Sequence, residues 1–416
     1  MSPTTRLREQ WLRLQDAPLF ELRRLCLFLA VITLPMGHLL GVSLLLVSAL
    51  LGIGAIGWRP GGQALSLGLP LMVAFVLVVL AEVLSPNEWA DTLETLFNYL
   101  PLILLPVLFA TCLRSGVDSM QLSRAVLIAS FLMAGMAIVE VFVFSQAYAD
   151  GNVVDLISIS RQEFALVAFL YGLILVQALL LNREPMVNAT PWPWLVLGIL
   201  SCLLCVGLTK TYTMFLPTAV VLLVGVFAVC FNSRRLWLAP SLMVILVFSV
   251  VATSILPVVQ QEYTAIFADV SRALAGAPRE GSLAQLLSLW LAGWHMAQDQ
   301  IMFGHGNIDA VGVAAQHFRF EDWPTFAFSF HFKSAFVDHI VLFGALGLAA
   351  LLIVLMAPLV MVGPMWFRQY TGIIVLATTL YAMLGRFLNN DITGAVMLVV
   401  WLSLLLTQAV VSKRRG

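Results

Sequence analysis

Between residues 331 and 339 the chain gathers His331, Lys333, Asp338 and His339, at the point where His331-Phe332-Lys333-Ser334 enters a long apolar run. Ionisable groups at the mouth of an apolar segment are expensive to keep there and point to function. If residues 331–333 are extended, His331 and Lys333 point the same way. Ser334 suits a helix N-cap, and Asp338 and His339 then lie about one turn inside the helix. This set suits general-base chemistry on a hydroxyl. His331 is the first candidate for the base, His339 its rival, Asp338 the group that orients it, and Lys333 a clamp for phosphate. The plainer alternative is a helix-end salt bridge between Asp338 and Lys333.

Other polar groups are sparse enough to stand out. Phe303-Gly304-His305-Gly306-Asn307 is a glycine-flanked turn. Its glycines let the backbone come close to a ligand at His305; alternatively the turn exposes a solvated histidine. No βαβ unit surrounds it, so Gly-x-Gly here is no nucleotide fingerprint. Arg161-Gln162-Glu163 opens one apolar run, with Glu140 a possible partner for Arg161. Thr209-Lys210-Thr211-Tyr212-Thr213 joins two others, and Arg386 to Asp391 precedes the last. Lys210 and Tyr212 in a tight hairpin suit an anion, although a lysine there can also snorkel to the membrane surface. With Arg272 and Arg279 these cations could jointly hold a diphosphate in a poorly hydrated site. Cys202-Leu-Leu-Cys205 has metal-like spacing but lies mid-run without a second pair. No metal or cofactor is expected.

The elements that must position these groups follow from composition. Of 416 residues, 61% are hydrophobic and 11% charged, and the formal net charge is zero; the mean hydropathy is +0.97. Soluble domains carry roughly 25% charged residues, so the chain reads as an all-α integral membrane protein. The apolar runs are continuous, not alternating, which excludes a transmembrane β-barrel. The scattered basic residues argue against nucleic acid as a partner. The basic N-terminal stretch leads into an apolar run broken at Pro35-Met36-Gly37 and shows no cleavage pattern, so it is expected to stay.

Twelve spans are expected, at about 23–37, 40–57, 66–84, 96–113, 123–144, 162–181, 192–209, 213–231, 238–256, 336–362, 371–385 and 392–411. The run 336–362 is long enough to be tilted or broken. With both termini cytoplasmic, only Arg161, Lys210, Arg272, Arg279, Arg319, Lys333 and Arg386 of the 22 lysines and arginines fall outside, as the positive-inside rule requires. The chain then divides into spans one to nine (1–257), a long periplasmic loop (258–335) and spans ten to twelve (336–416). Loops of that length are uncommon unless functional. Within it, Ser282-Leu-Ala-Gln285 has the form of a capping box. It opens an amphipathic helix with Leu283, Leu286, Leu287, Trp290 and Trp294 on one face and Gln285, Ser288, Ala292, His295 and Asp299 on the other. The Leu/Trp face is expected to pack on the bundle or lie in the interface, making the helix a lid. The aromatic stretch Phe318 to Phe332 suits interface anchoring.

This layout resembles the O-antigen ligase superfamily, which includes O-antigen polymerases and related bacterial oligosaccharyltransferases. The resemblance rests on twelve spans, cytoplasmic ends, the long loop after span nine and the entry into span ten. The family motif there is His, then Asn, Ser or Gln, nine residues, Gly, two residues, then Gly, Thr or Tyr. Lys333-Ser334, nine residues, Gly344, two residues and Gly347 fit that frame, with lysine at the histidine position. The family's Arg-x-x-x-Leu falls on Tyr212-Thr213-Met214-Phe215-Leu216, with tyrosine for arginine. Its loop-helix arginine falls on Leu286, and Gly304-His305-Gly306 matches a common Gly-x-Gly.

The resemblance implies a GT-C-like fold and an inverting, metal-independent glycosyltransferase. It would move a glycan from undecaprenyl diphosphate to lipid A-core at the periplasmic face of the bacterial inner membrane. Arg161, Lys210, Tyr212, Arg272, Arg279, Lys333 and His305 would bind substrate, and membrane lipids would be the other partners. The alternatives are a polymerase or other oligosaccharyltransferase using the same donor, a transporter, or a homologue without catalysis. A transporter should carry Gly- or Pro-broken helices in matched halves, and the sequence suggests none.

Overall fold

The computed structural model describes residues 21–56, 62–85, 89–143, 161–181, 190–209, 282–306, 332, 334–385 and 391–412, with positions 218, 221, 264 and 268. Among the described residues there is no strand. That is the outcome expected of long apolar runs, because only a helix pairs every backbone group within its own segment in lipid.

Eleven α-helices are described. They are α1 (21–33), α2 (His38–Ile56), α3 (Gly62–Leu84), α4 (Trp89–Ser115), α5 (Ser119–Val143) and α6 (Arg161–Leu181). They continue with α7 (Trp192–Leu208), α8 (Ser282–Asp299), α9 (Ala335–Met356), α10 (Met365–Leu384) and α11 (Asp391–Ser412). A 3-10 turn, Ala357–Val360, follows α9. Five helices are long and apolar enough to cross a membrane, on α3, α5, α6, α9 and α11, and three shorter apolar helices lie on α2, α4 and α7. The expected spans 213–231 and 238–256 lie outside the described residues, apart from 218 and 221.

The core sits along α6 and α11. Of their spans 83% and 89% is buried, against 39% of the α3 span, which shows Leu69, Val76 and Val83 outward. Between lipid-compatible helices the hydrophobic effect adds little, so close packing and side-chain hydrogen bonds hold the bundle. Gln177 on α6 donates through Nε2 to the Ser403 carbonyl (3.2 Å) and to Thr407, and its Oε1 accepts from the Ser403 hydroxyl (3.1 Å) on α11. The Tyr171 hydroxyl donates to the Val31 carbonyl of α1 at 2.7 Å, and that of Tyr370 to Leu173. For the site, what matters is that α9 packs on α3, on α8 and on α10.

Candidate functional site at the N-terminal end of α9

The first turn of a helix leaves its amides without intrahelical partners, and at α9 the protein supplies them from elsewhere. Ser334 stands at the N-cap in extended conformation, as expected, but its hydroxyl makes no capping bond. Instead Ala335 N donates to the carbonyl of Gly385 (3.0 Å), the residue after α10 and immediately before Arg386. Asp338 N donates to Ser334 O at 2.8 Å. The Asp338 carboxylate reaches back and accepts from Phe332 N at 2.8 Å. A carboxylate in the first turn also lies favourably in the helix dipole. Asp338 thus orients the backbone between His331 and Lys333.

His339 is fully buried. Its Nδ1 lies 2.7 Å from the Ala335 carbonyl. A carbonyl only accepts, so Nδ1 carries the proton and donates. The remaining nitrogen, Nε2, is hydrogen-bonded to the hydroxyl of Tyr99 on α4. Glu82, at the end of α3, and Asp338 are the carboxylates whose charges bear on that hydroxyl. Glu82, Tyr99, Asp338 and His339 are all buried and come from the last turn of α3, the interior of α4 and the first turns of α9. Rings close the cluster: Tyr99, His339 and Phe343 meet edge to face, with centroids 5.6–6.4 Å apart.

Two turns further on, α9 breaks. Gly344 has φ 63° and ψ −153°, a region essentially reserved for glycine. An unbroken helix would bond Ala345 N to Val341 O. Here Ala345 N donates to Ile301 O (2.7 Å), while Val341 O accepts from His305 N (2.8 Å). The turn after α8 is therefore inserted into one rung of the α9 ladder. Gly304, with φ 73°, faces Gly344 backbone to backbone. A Cβ on Gly304 would strike the Leu342 carbonyl, and one on Gly344 the Met302 carbonyl. Gly347 lies under the His339 carbonyl, 2.8 Å from where its Cβ would be. Gly304 and Gly344 are there for contact between backbones. His305 is buried, not solvated, with Nε2 2.8 Å from the Met296 carbonyl.

Helix α8 begins at Ser282, as its capping sequence predicts, and from Leu289 on its described side chains pack partly through other positions than expected. Ala292, Gly293, Met296 and Ala297 are buried, with Leu289 and Trp290 partly so, whereas Leu291 and Trp294 are exposed. Ala292, expected on the polar stripe, is inside, and Trp294, expected on the bundle or in the membrane interface, faces outward. The small residues win because they let α8 approach Val337 and Phe332 closely; a Cβ on Gly293 would lie 3.0–3.2 Å from the Phe332 ring.

Of the sequence candidates, Asp338, His339 and His305 lie within about one α9 half-length of each other. Arg161 opens α6, with its side chain outside the described residues. Lys210, Tyr212, Arg272, Arg279, His331 and Lys333 also lie outside them. Tyr99 and Glu82 escaped sequence reasoning. The available signal was a carboxylate and a phenol at span ends that the charge alternation puts on the same side as His339. Among the described residues no group of His, Cys, Asp or Glu is placed to hold a metal, and Cys202 and Cys205 are buried free thiols.

Residues 195–352 match the family described as O-antigen ligase. The match runs from α7 through the loop, α8 and the break in α9, and so takes in 212–216, 304–306 and 333–347. No curated protein matches the chain.

Proposed function

We propose that the chain, whose residues 195–352 match the O-antigen ligase family, transfers a glycan from undecaprenyl diphosphate to lipid A-core at the periplasmic face of the inner membrane. Family members are glycosyltransferase-like ligases and polymerases. No nucleotide sugar is available on that face, so the donor arrives already activated on a lipid diphosphate. In this reading His331 takes the proton from the acceptor hydroxyl as the hydroxyl oxygen attacks the anomeric carbon. The bond to the diphosphate breaks with inversion, and the lipid diphosphate leaves. Lys333, Lys210, Arg161, Arg272 and Arg279 stabilise the charge on the leaving group, with Tyr212 completing the binding surface; His305, buried against Met296, supports the turn instead.

The observation that carries this reading is the grip of Asp338 on the Phe332 amide. A buried carboxylate fixes the backbone between a candidate base and a candidate phosphate clamp, as catalysis by positioning requires.

His339 serves this site from within. Both its ring nitrogens are engaged by the protein, so it supports the first turn of α9, and His331 is the better base.

A strain lacking the protein tests the reading through its lipopolysaccharide gel pattern. A ligase predicts loss of the whole ladder with accumulation of lipid-linked polymer. A band of core plus one repeat unit would make the protein a polymerase instead, and an unchanged ladder would refute both.

A further inference from the structure

The turn that follows α8 is apolar and outward-facing. Ile301, Met302 and Phe303 are 55%, 54% and 38% exposed, and Leu291 and Trp294 of α8 expose 47% and 53% on the same segment. Isolated exposed apolar residues mean little, but a contiguous patch marks a contact surface. The sequence alone puts this segment in the aqueous loop.

Its attachment to α9 gives it a height relative to the bilayer. The span Ala335–Val360 has 26 residues, whereas about 20 suffice to cross the hydrocarbon core. About six residues therefore stand clear of the hydrocarbon. They belong at the N-terminal end, which holds the buried Asp338 and His339. The other end exposes Leu359, Val360, Val362 and Met365 and is suited to lipid. Six residues in from Ala335 is Val341, whose carbonyl holds His305 N, and Ala345 N holds Ile301 O. The turn is thus pinned where hydrocarbon gives way to headgroups. Its backbone suits that depth, where unpaired polar groups are costly: Gly304 N is bonded to Gln300 O (3.0 Å), His305 N to Val341, and Ile301 O to Ala345. Trp294 follows Gly293, which meets Val337 and Phe332 nearer the start of α9, where an aromatic side chain suits the headgroup belt, and the exposed Gln298, Asp299 and Gln300 precede the turn.

We propose that Ile301-Met302-Phe303, with Leu291 and Trp294, is a wedge that inserts into the outer leaflet at the hydrocarbon–headgroup boundary, with phospholipid as its partner. The wedge, clamped into the break at Gly344, seats the first turns of α9, with Asp338 and His339, at the height of the headgroups. This inference is independent of the proposed transfer reaction.

The test uses the full chain in vesicles of phosphatidylethanolamine and phosphatidylglycerol. Met302→Cys and Phe303→Cys are spin-labelled in a background with the native cysteines replaced. Val76→Cys, on the outward face of α3, is the lipid reference, and Gly116→Cys, in an exposed turn, the water reference. Collisional oxygen should dominate over a water-soluble nickel complex at 302 and 303, as at 76. Nickel dominance, as at 116, would overturn the proposal. So would protection from both probes, which would mean that protein covers the patch. Should the cysteine-free background not fold, a photo-crosslinking residue at 302 in the otherwise native chain should attach phospholipid, as one at 76 does. Lipid adducts at 76 but not at 302 would overturn the proposal equally.

Discussion

The Tyr99 hydroxyl closes the only remaining valence of the His339 ring, since Nδ1 is committed to the Ala335 carbonyl. Both side chains are buried, so removing the hydroxyl leaves a buried nitrogen without that partner. Such a loss costs about 1–3 kcal/mol. Tyr99→Phe should therefore lower the thermal midpoint of the purified protein, whereas His331→Ala should leave it unchanged; equal midpoints for Tyr99→Phe and the native chain would show that the bond contributes nothing. At this scale the sequence was legible only in part. Asp338 and His339 stood out because charged and titratable groups are rare in apolar runs. Their partners were hidden: Tyr99 is 240 positions from His339, and no spacing rule links residues on helices that meet only through the fold. The bond from Asp338 to the Phe332 amide was equally invisible, because carboxylate-to-lysine pairing satisfied the same residues on paper.

At the level of the elements, the break in α9 was foreseen as one option for an over-long apolar run. Its cause was not, because the glycine frame does not say what approaches the glycines. Two backbone bonds to the inserted turn replace one helical rung, and Gly344 and Gly304 make room for it. Gly344→Ala should cost about 2–5 kcal/mol, combining strain at a positive φ with a clash against the Met302 carbonyl. It should also release the turn, which hydrogen exchange at the amides of His305 and Ala345 would report. A variant as stable and as protected as the native chain would contradict the inserted rung. The packing face of α8 was misjudged for a related reason. Periodicity identified a helix, but ranking faces by hydrophobicity favoured leucine and tryptophan. Against a neighbouring helix, close approach of Ala292, Gly293 and Ala297 decided the matter, and Leu291 and Trp294 face outward.

For the whole molecule, composition alone settled that the chain is helical and membrane-bound, because so few charges cannot clothe a soluble surface. The charge alternation predicts that Lys413, Arg414 and Arg415 are cytoplasmic, so an enzyme reporter that is active only in the cytoplasm should work when fused there. Activity of a periplasm-specific reporter at that end would invert the map. The map would also put Glu82, Tyr99 and His339, which meet in one cluster, towards the same side.

The central claim is that glycan transfer from a lipid diphosphate is carried out by the segment entering α9. Its most direct measurement is transfer by the purified, reconstituted protein from a lipid-diphosphate-linked glycan to lipid A-core. The comparison is between the native chain, His331→Ala and Lys333→Ala. His331→Ala should lower turnover by about 10²–10⁴-fold, as loss of a general base does, with the fold intact. Lys333→Ala should mainly raise the donor concentration needed, by the equivalent of about 1.5–3 kcal/mol for a charge-assisted hydrogen bond. Native turnover and native donor affinity in both variants would contradict the account.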